Sequence, residues 1–142
     1  MIPLSHFHPM MVHFPIALIT VGFLTDVISV FYRKDACLSK MGYWLEVTGM
    51  AGAILAFGTG YFLTNPMEGE AGLIRERHQL FATLTLVTII LGALFRIVLN
   101  YQNMESSRFK YLSLAIFMIA FIFVSITGFL GGQLVIDYMI GL

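Results

Sequence analysis

Long apolar stretches alternate with short polar ones along the whole chain. The apolar stretches comprise residues 12–32, 43–64, 79–99 and 111–136. Each reaches the roughly 20 residues that a helix needs to cross about 30 Å of hydrocarbon. The polar connections are short, which favours antiparallel packing of consecutive helices. The pattern predicts an all-α membrane protein, in which residues 1–142 form one domain of four transmembrane helices in an up-down-up-down bundle.

The composition agrees with this pattern and excludes several classes of function. Hydrophobic residues make up 58% of the chain, charged residues make up 11%, and the mean hydropathy is +0.87, far from the balance of a soluble domain. The net charge is zero and no basic run occurs, which argues against nucleic acid as a partner. A single cysteine, Cys37, allows neither an intrachain disulfide nor a cysteine-based metal motif. The sequence shows no nucleophile triad and no phosphate-binding loop, which disfavours a hydrolase or transferase.

Lysine and arginine are unevenly divided between the two sides of the predicted bundle. The richer side carries Arg33, Lys34, Lys40, Arg108 and Lys110, and the other side carries Arg75 and Arg77. The positive-inside rule makes the richer side cytoplasmic, so both termini are expected on the periplasmic side of a bacterial inner membrane. The beginning of the sequence lacks the pattern of a cleaved signal peptide, and the first apolar stretch is therefore expected to remain as a span.

Three of the four histidines lie where the first apolar stretch begins, and the fourth lies where the third stretch begins. These residues are His6, His8, His13 and His78. In the predicted bundle both positions fall at the outer membrane face, and the first and third helices are diagonal across the core. His13 is expected to point into the bundle. His8 precedes Pro9, which suits a first helical position, so His8 is expected at the edge of the helix and His6 outside the site.

Two imidazoles that face each other across a helix bundle suit the axial ligation of a b-type haem. The sequence therefore predicts that His13 and His78 bind haem iron in the outer half of the bundle. Arg75 and Arg77 lie within one turn of His78 and are expected to pair with the haem propionates at the aqueous edge.

Two other interpretations of the histidines remain open at this point. In one, His8 joins His13 and His78 in a copper or zinc site at the outer face, with Asp137 or Glu76 as a carboxylate ligand. In the other, the histidines bind no cofactor and are interfacial residues that bond to headgroups or loop carbonyls.

Charged and small residues within the predicted spans also need an explanation. Asp26, Glu46 and Arg96 lie at a similar depth in the cytoplasmic half. An ion pair between Arg96 and one of the two carboxylates would neutralise them, and the alternative is a proton or electron path toward the histidines. Gly128 and Gly132 form a small-xxx-small pattern that favours helix packing, or else opens space for a flat macrocycle.

Two stretches of the sequence and one residue between them resemble a bacterial family of small four-helix membrane proteins of unknown function. The stretches are HPMMVHFPIAL at 8–18 and GGQLV at 131–135, and the residue is Asp26. The resemblance covers nearly the whole chain and implies the four-span fold. His8, His13 and Asp26 match the family's opening pattern, together with Pro9 and Pro15, and His78 resembles the family's histidine in the third helix.

The resemblance also implies a redox setting, because members of that family often accompany cytochrome c or Rieske-type proteins. One departure lies after GGQLV, where the family usually has a histidine-glycine pair and this chain has Tyr138 and Met139. The departure removes a ligand that a second haem would need.

Together these observations predict a haem b-binding transmembrane electron-transfer protein with bis-histidine ligation. A periplasmic cytochrome c or Rieske-type protein is the expected redox partner, and a larger membrane complex is a further expected partner. The alternatives are a cofactor-free structural or accessory subunit of a respiratory membrane complex, and the copper or zinc site at the outer face. An electron carrier or subunit is favoured over a stand-alone enzyme.

Overall fold

A computed structural model describes residues 7–32, 36–102, 104 and 107–138. These residues form four α-helices and, within the described part of the chain, no strand. The helices are α1 (Phe7–Phe31), α2 (Ala36–Leu63), α3 (Gly69–Tyr101) and α4 (Ser107–Tyr138).

All four helices are longer than the apolar stretches that predicted them. Hydropathy marks the part of a helix that suits lipid, whereas polar helix formers such as Glu70 extend the helix beyond it. Because α3 begins at Gly69, His78 lies about two and a half turns inside it rather than at its start. For the same reason His8 belongs to the first turn of α1.

Three of the described helices are long and apolar enough to cross a membrane. The qualifying segments are Phe7–Phe31, Gly69–Tyr101 and Arg108–Tyr138. The helix α2 has sufficient length, but it contains five glycines and the charged residues Lys40 and Glu46, which lower its hydropathy.

Close helix packing depends on glycines at two seams of the bundle. The helix α1 packs most extensively on α2, and α3 on α4, with smaller contacts between α1 and α4 and between α2 and α3. A Cβ added to Gly49 of α2 would lie 3.1 Å from the Ile19 side chain. A Cβ added to Gly92 of α3 would lie 3.1 Å from the Phe117 ring. These glycines therefore let the two helix pairs approach closely.

An apolar core separates two polar ends of the bundle. The core contains Ile19 and Phe23 from α1, Ile89 from α3, and Phe117 and Val124 from α4. On one side of it lies the histidine end, defined by His8, Gly60, His78 and Gly131. On the other side lies the charged end, defined by Asp26, Glu46, Arg96 and Lys110.

Candidate functional site

An open-sided cavity of about 830 Å³ lies at the histidine end. Each helix contributes to its wall, through His8 of α1, Gly60 of α2, His78 of α3 and Gly131 of α4. The segment Thr64–Met67, between α2 and α3, also lines it. The volume lies in the upper part of the range of about 300–1,000 Å³ that is usual for small-molecule and cofactor sites.

The imidazole rings of His8 and His78 both border this cavity and lie close together. Their centroids are 6.3 Å apart and their planes are inclined at 82°. The helices α1 and α3, which carry them, occupy opposite positions in the bundle, because each packs on α2 and α4. A pair of facing histidines on opposed helices is the arrangement that the sequence predicted, although the partner of His78 is a different residue.

Each of the two rings is held through its Nδ1 atom by a backbone carbonyl. His8 Nδ1 lies 3.1 Å from the Ala56 carbonyl oxygen and 3.1 Å from Thr59 Oγ1. His78 Nδ1 lies 3.0 Å from the Thr127 carbonyl oxygen. Since a carbonyl oxygen only accepts, Nδ1 carries the proton in both neutral rings, and Nε2 keeps its lone pair. This is the way in which a protein fixes a metal-binding imidazole.

The separation of the rings matches that of two imidazoles on one metal ion. A metal–nitrogen bond is about 2.0–2.1 Å long and a ring nitrogen lies about 1.1 Å from the ring centre, which gives a centroid separation of roughly 6.2–6.4 Å. The centroids of His8 and His78 are 6.3 Å apart. The spacing of His8 and His78 is therefore the spacing of two imidazoles that bind one metal ion from opposite sides.

Glycines allow the two rings to lie directly on the neighbouring helices. A Cβ on Gly60 would approach His8 Cε1 to 2.8 Å, which is closer than such atoms come in proteins. A Cβ on Gly131 would approach His78 Cε1 to 3.1 Å, which is also tight. Gly132 has no such neighbour within 4 Å and borders the cavity instead. Small residues thus fix the ring positions and keep the cavity wide.

The structure corrects the prediction that His13 points into the bundle as the partner of His78. His13 borders the cavity but is exposed, and its Nδ1 atom donates to the Pro9 carbonyl of its own helix at 2.6 Å. On a helix, positions 8 and 13 are about 140° apart, so both cannot face the core. Because α1 begins at Phe7, His8 is a helical residue, and it lies on the face that points into the bundle.

A pattern in the sequence indicates that His8 is the inward-facing histidine of α1. Positions 8 and 26 differ by 18 residues, which is about five helical turns, so their side chains share one face of α1. Pro15 and Ile19 lie on the same face and are buried, as is Asp26. Because the apolar pattern places the start of the helix after His8, that pattern does not show His8 on this face.

The other predicted residues of the site are divided between the cavity and the surface. Arg75 borders the cavity, and its Nη2 atom donates to Thr64 Oγ1 at 3.4 Å. Tyr138, which stands where the resemblance implies a histidine-glycine pair, also borders the cavity. Arg77 is exposed and does not border the cavity. His6 and Met139 lie outside the described residues.

The carboxylates expected to complete a copper or zinc site lie away from the cavity, although His8, His13 and His78 all border it. Glu76 and Asp137 are exposed, and neither borders the cavity. Within the described part of the chain, no group of three or more histidine, cysteine, aspartate or glutamate side chains could hold a metal ion. A Cβ added to Gly128 would make an ordinary contact with Ile16 at 3.5 Å, consistent with helix packing, whereas a Cβ on Gly132 would meet nothing within 4 Å.

At the charged end, Arg96 forms hydrogen bonds with both buried carboxyl groups. Its Nη1 atom donates to Asp26 Oδ2 and to Glu46 Oε2, the latter at 2.6 Å. Its Nη2 atom donates to the Ser39 carbonyl at 3.2 Å. Asp26, Glu46 and Arg96 are 3%, 0% and 5% exposed, so this is a closed ionic cluster rather than a ligand cavity.

The fold and the cavity thus define a helical membrane protein with two facing histidines on opposed helices. The chain belongs to the family described as predicted membrane protein (DUF2231), whose model matches residues 4–142. No match was found among curated proteins or among solved structures.

Proposed function

We propose that this protein binds one haem b between His8 and His78 and exchanges electrons with a partner protein at the membrane surface. The observation that carries the proposal is the 6.3 Å separation of two rings whose Nδ1 atoms are both fixed by carbonyl groups. Neutral imidazoles held in this way are the usual axial ligands of an electron-transfer haem with no open coordination position.

The size of the cavity favours haem over a single copper or zinc ion. A bare ion between two Nε2 atoms needs very little space, whereas the cavity has about 830 Å³. Structural zinc sites also use four protein ligands. The described residues supply two facing histidines and no group of three or more metal-binding side chains. A planar macrocycle uses both the space and the two ligands.

Arg75 is the proposed partner of a haem propionate. It borders the cavity, and its guanidinium donates to Thr64, in the segment between α2 and α3 that lines the cavity. A guanidinium binds carboxylates through paired, charge-assisted hydrogen bonds. Arg77 is exposed away from the cavity wall, so we assign it no contact with haem.

We further propose that all four helices cross the bilayer in an up-down-up-down bundle, with α2 as the fourth span. The histidine end then lies at the periplasmic face of a bacterial inner membrane, because the basic residues of the opposite connections follow the positive-inside rule. A haem at this depth has its propionate edge close to the aqueous surface. The proposed redox partner is accordingly a periplasmic carrier, and the family resemblance implies one of the cytochrome c or Rieske type.

Ligand variants read by visible absorption test the proposal. The protein is expressed with ample haem precursor, purified in detergent, and its Soret band is compared with that of His8→Ala, His78→Ala and His13→Ala. We expect His8→Ala and His78→Ala each to lose the band of the six-coordinate haem, because each removes one axial ligand. His13→Ala is the matched control and should keep it.

Three outcomes contradict the proposal. One is wild-type protein that carries no haem. Another is stoichiometric copper or zinc in its place. The third is loss of the band in His13→Ala with retention in His8→Ala, which would restore His13 as the ligand.

A further inference from the structure

The cavity at the histidine end extends from the interior of the bundle to the outer surface of α1 and α4. His8 and His13 both border it, although their side chains point about 140° apart on α1. On α4, Leu134 and Ile136 both border it, although Leu134 is 7% exposed and Ile136 is 78% exposed. One cavity can reach both sides of each helix only if it passes beside that helix to the outside.

The contacts of α1 show on which side the cavity leaves the bundle. Ile16, about one turn from His13, faces α4, because a Cβ added to Gly128 would lie 3.5 Å from the Ile16 side chain. Pro15 faces α2, at 3.5 Å from a Cβ added to Gly52, and it points about 200° away from His13. His13 therefore lies at the seam between α1 and α4, away from α2.

Gly132 keeps this seam open at the level of His13. The two helices touch at Ile16 and Gly128, as an added Cβ shows. His13 on α1 and Gly132 on α4 each lie about one turn from that contact, on the side of the histidine end. A Cβ on Gly132 would meet nothing within 4 Å, and Gly132 borders the cavity. The gap bordered by His13, Gly132 and Ile136 is called the lateral opening below.

The lateral opening offers one hydrogen-bond acceptor in apolar surroundings. His13 Nδ1 donates to the Pro9 carbonyl at 2.6 Å, so Nε2 of the neutral ring keeps its lone pair. Val12, Val135 and Ile136 border the cavity beside it. Within the described parts of α1 and α4, no charged side chain borders the cavity. These groups suit an apolar ring with a hydroxyl group, whereas a phospholipid phosphate would find no lysine or arginine here.

The position of the lateral opening limits the source of its ligand. It lies between two helices, Phe7–Phe31 and Arg108–Tyr138, that are long and apolar enough to cross a membrane. A ligand of the lateral opening therefore comes from the bilayer. The same cavity also contains His8 and His78, so this ligand lies beside the proposed haem.

We propose that the lateral opening binds a membrane-soluble hydroquinone, with one of its hydroxyl groups donating to His13 Nε2. Binding does not require haem, whereas the use of the hydroquinone as an electron donor rests on the proposed function. On oxidation, the O–H bond breaks, the proton passes to His13 Nε2, and one electron passes to the ferric iron between His8 and His78. The second proton and electron follow in the same way, once His13 has lost its proton to the aqueous face and the partner protein has reoxidised the iron.

Photolabelling of haem-free protein in nanodiscs tests the binding site. The probe is a hydroquinone that carries a benzophenone on its alkyl chain, and mass spectrometry locates the label. We expect label on α1 and α4 around the lateral opening, and excess duroquinol should suppress it. Label that duroquinol does not suppress would show a general lipid contact and contradict the proposal. Label confined to α2 and α3, where Tyr61 and Gln79 border the cavity, would also contradict it.

Stopped-flow reduction of the haem-loaded protein by duroquinol tests the role of His13. His13→Phe keeps a ring of similar size but removes the proton acceptor, so reduction should slow by about 10²–10⁴-fold. Its haem content and its reduction by dithionite should not change. Gln79→Leu is the matched control, since Gln79 is an exposed polar residue that borders the same cavity on α3, and it should keep the wild-type rate.

The two experiments separate this proposal from the haem proposal. Protein that binds no haem would refute the proposed function, while photolabelling would still decide whether the lateral opening binds hydroquinone. An unchanged duroquinol rate in His13→Phe would refute the role of His13. A loss of rate in Gln79→Leu instead would move the hydroquinone to the other side of the bundle.

Discussion

The histidine end and the charged end are built from similar parts, yet one is open and the other is closed. At the histidine end, two rings are fixed by carbonyl groups and border a cavity of about 830 Å³. At the charged end, three side chains contact each other directly beside a space of about 20 Å³. The first arrangement leaves ligand atoms available, whereas the second uses its polar atoms internally.

The different positions of glycine explain much of this contrast. Toward the charged end, a Cβ on Gly22 would lie 3.1 Å from Glu46 Cγ, so this glycine allows α1 and α2 to approach until their carboxyl groups meet. At the histidine end, Gly60 and Gly131 accommodate rings instead of a neighbouring helix. The same residue type therefore closes one end and opens the other.

The largest effect on stability is expected from Arg96→Met at the charged end. This change leaves two buried carboxyl groups without their donor, and breaking a buried pair typically costs about 3–5 kcal/mol. His78→Ala in haem-free protein should cost much less, since His78 makes one hydrogen bond beside a cavity, worth about 0.5–1.5 kcal/mol. Denaturant unfolding in detergent measures the loss of unfolding free energy in both variants. Equal losses would contradict the difference between a closed charged end and an open histidine end.

Intermediate effects on haem affinity are expected from Gly60→Ala and Gly131→Ala. Each new methyl group would displace an imidazole, and disturbing the support of a metal ligand typically weakens binding by about 10–100-fold. Gly58→Ala is the matched control, because nothing lies within 4 Å of a Cβ there. Haem titration followed at the Soret band measures the affinity of each of the three variants. Equal affinity in all three variants would mean that the rings are not held as described.

A smaller effect is expected from Arg75→Gln. Loss of one charge-assisted contact at a half-buried position should weaken haem binding by about tenfold, and less at high salt. Arg77→Gln should leave the affinity unchanged, because Arg77 does not border the cavity. The same titration at low and high salt measures both. A larger loss of haem affinity in Arg77→Gln than in Arg75→Gln would assign the propionate contact to Arg77 instead.

The smallest effect is expected from Thr59→Val, which removes the hydroxyl beside His8 Nδ1 but leaves the Ala56 carbonyl in place. Haem affinity should fall by a factor of about ten or less, at the low end for a residue that supports a ligand. Thr83→Val is the control, since its exposed hydroxyl donates to Gln79 within its own helix. A complete loss of haem in Thr59→Val would show that the carbonyl alone does not orient His8.

The sequence predicted the helices and the end at which the histidines meet, but not which histidine of α1 faces inward. The number and order of the apolar stretches were enough to predict that His78 lies at the same end of the bundle as the start of α1. The choice between His8 and His13 depends on where α1 begins, and polar residues near Pro9 obscure that boundary. Equally, hydropathy could place Asp26 and Glu46 near Arg96 but could not show that both carboxyl groups contact one nitrogen, because that depends on side-chain packing.

The electron paramagnetic resonance spectrum of the oxidised, haem-loaded protein tests the central claim most directly. Two axial imidazoles make the iron low-spin, and rings crossed at 82° leave its two dπ orbitals nearly equal in energy. We therefore expect a low-spin signal with the large anisotropy of crossed ligand planes. A high-spin signal, or the absence of any haem signal, would contradict the assignment of His8 and His78 as the axial pair.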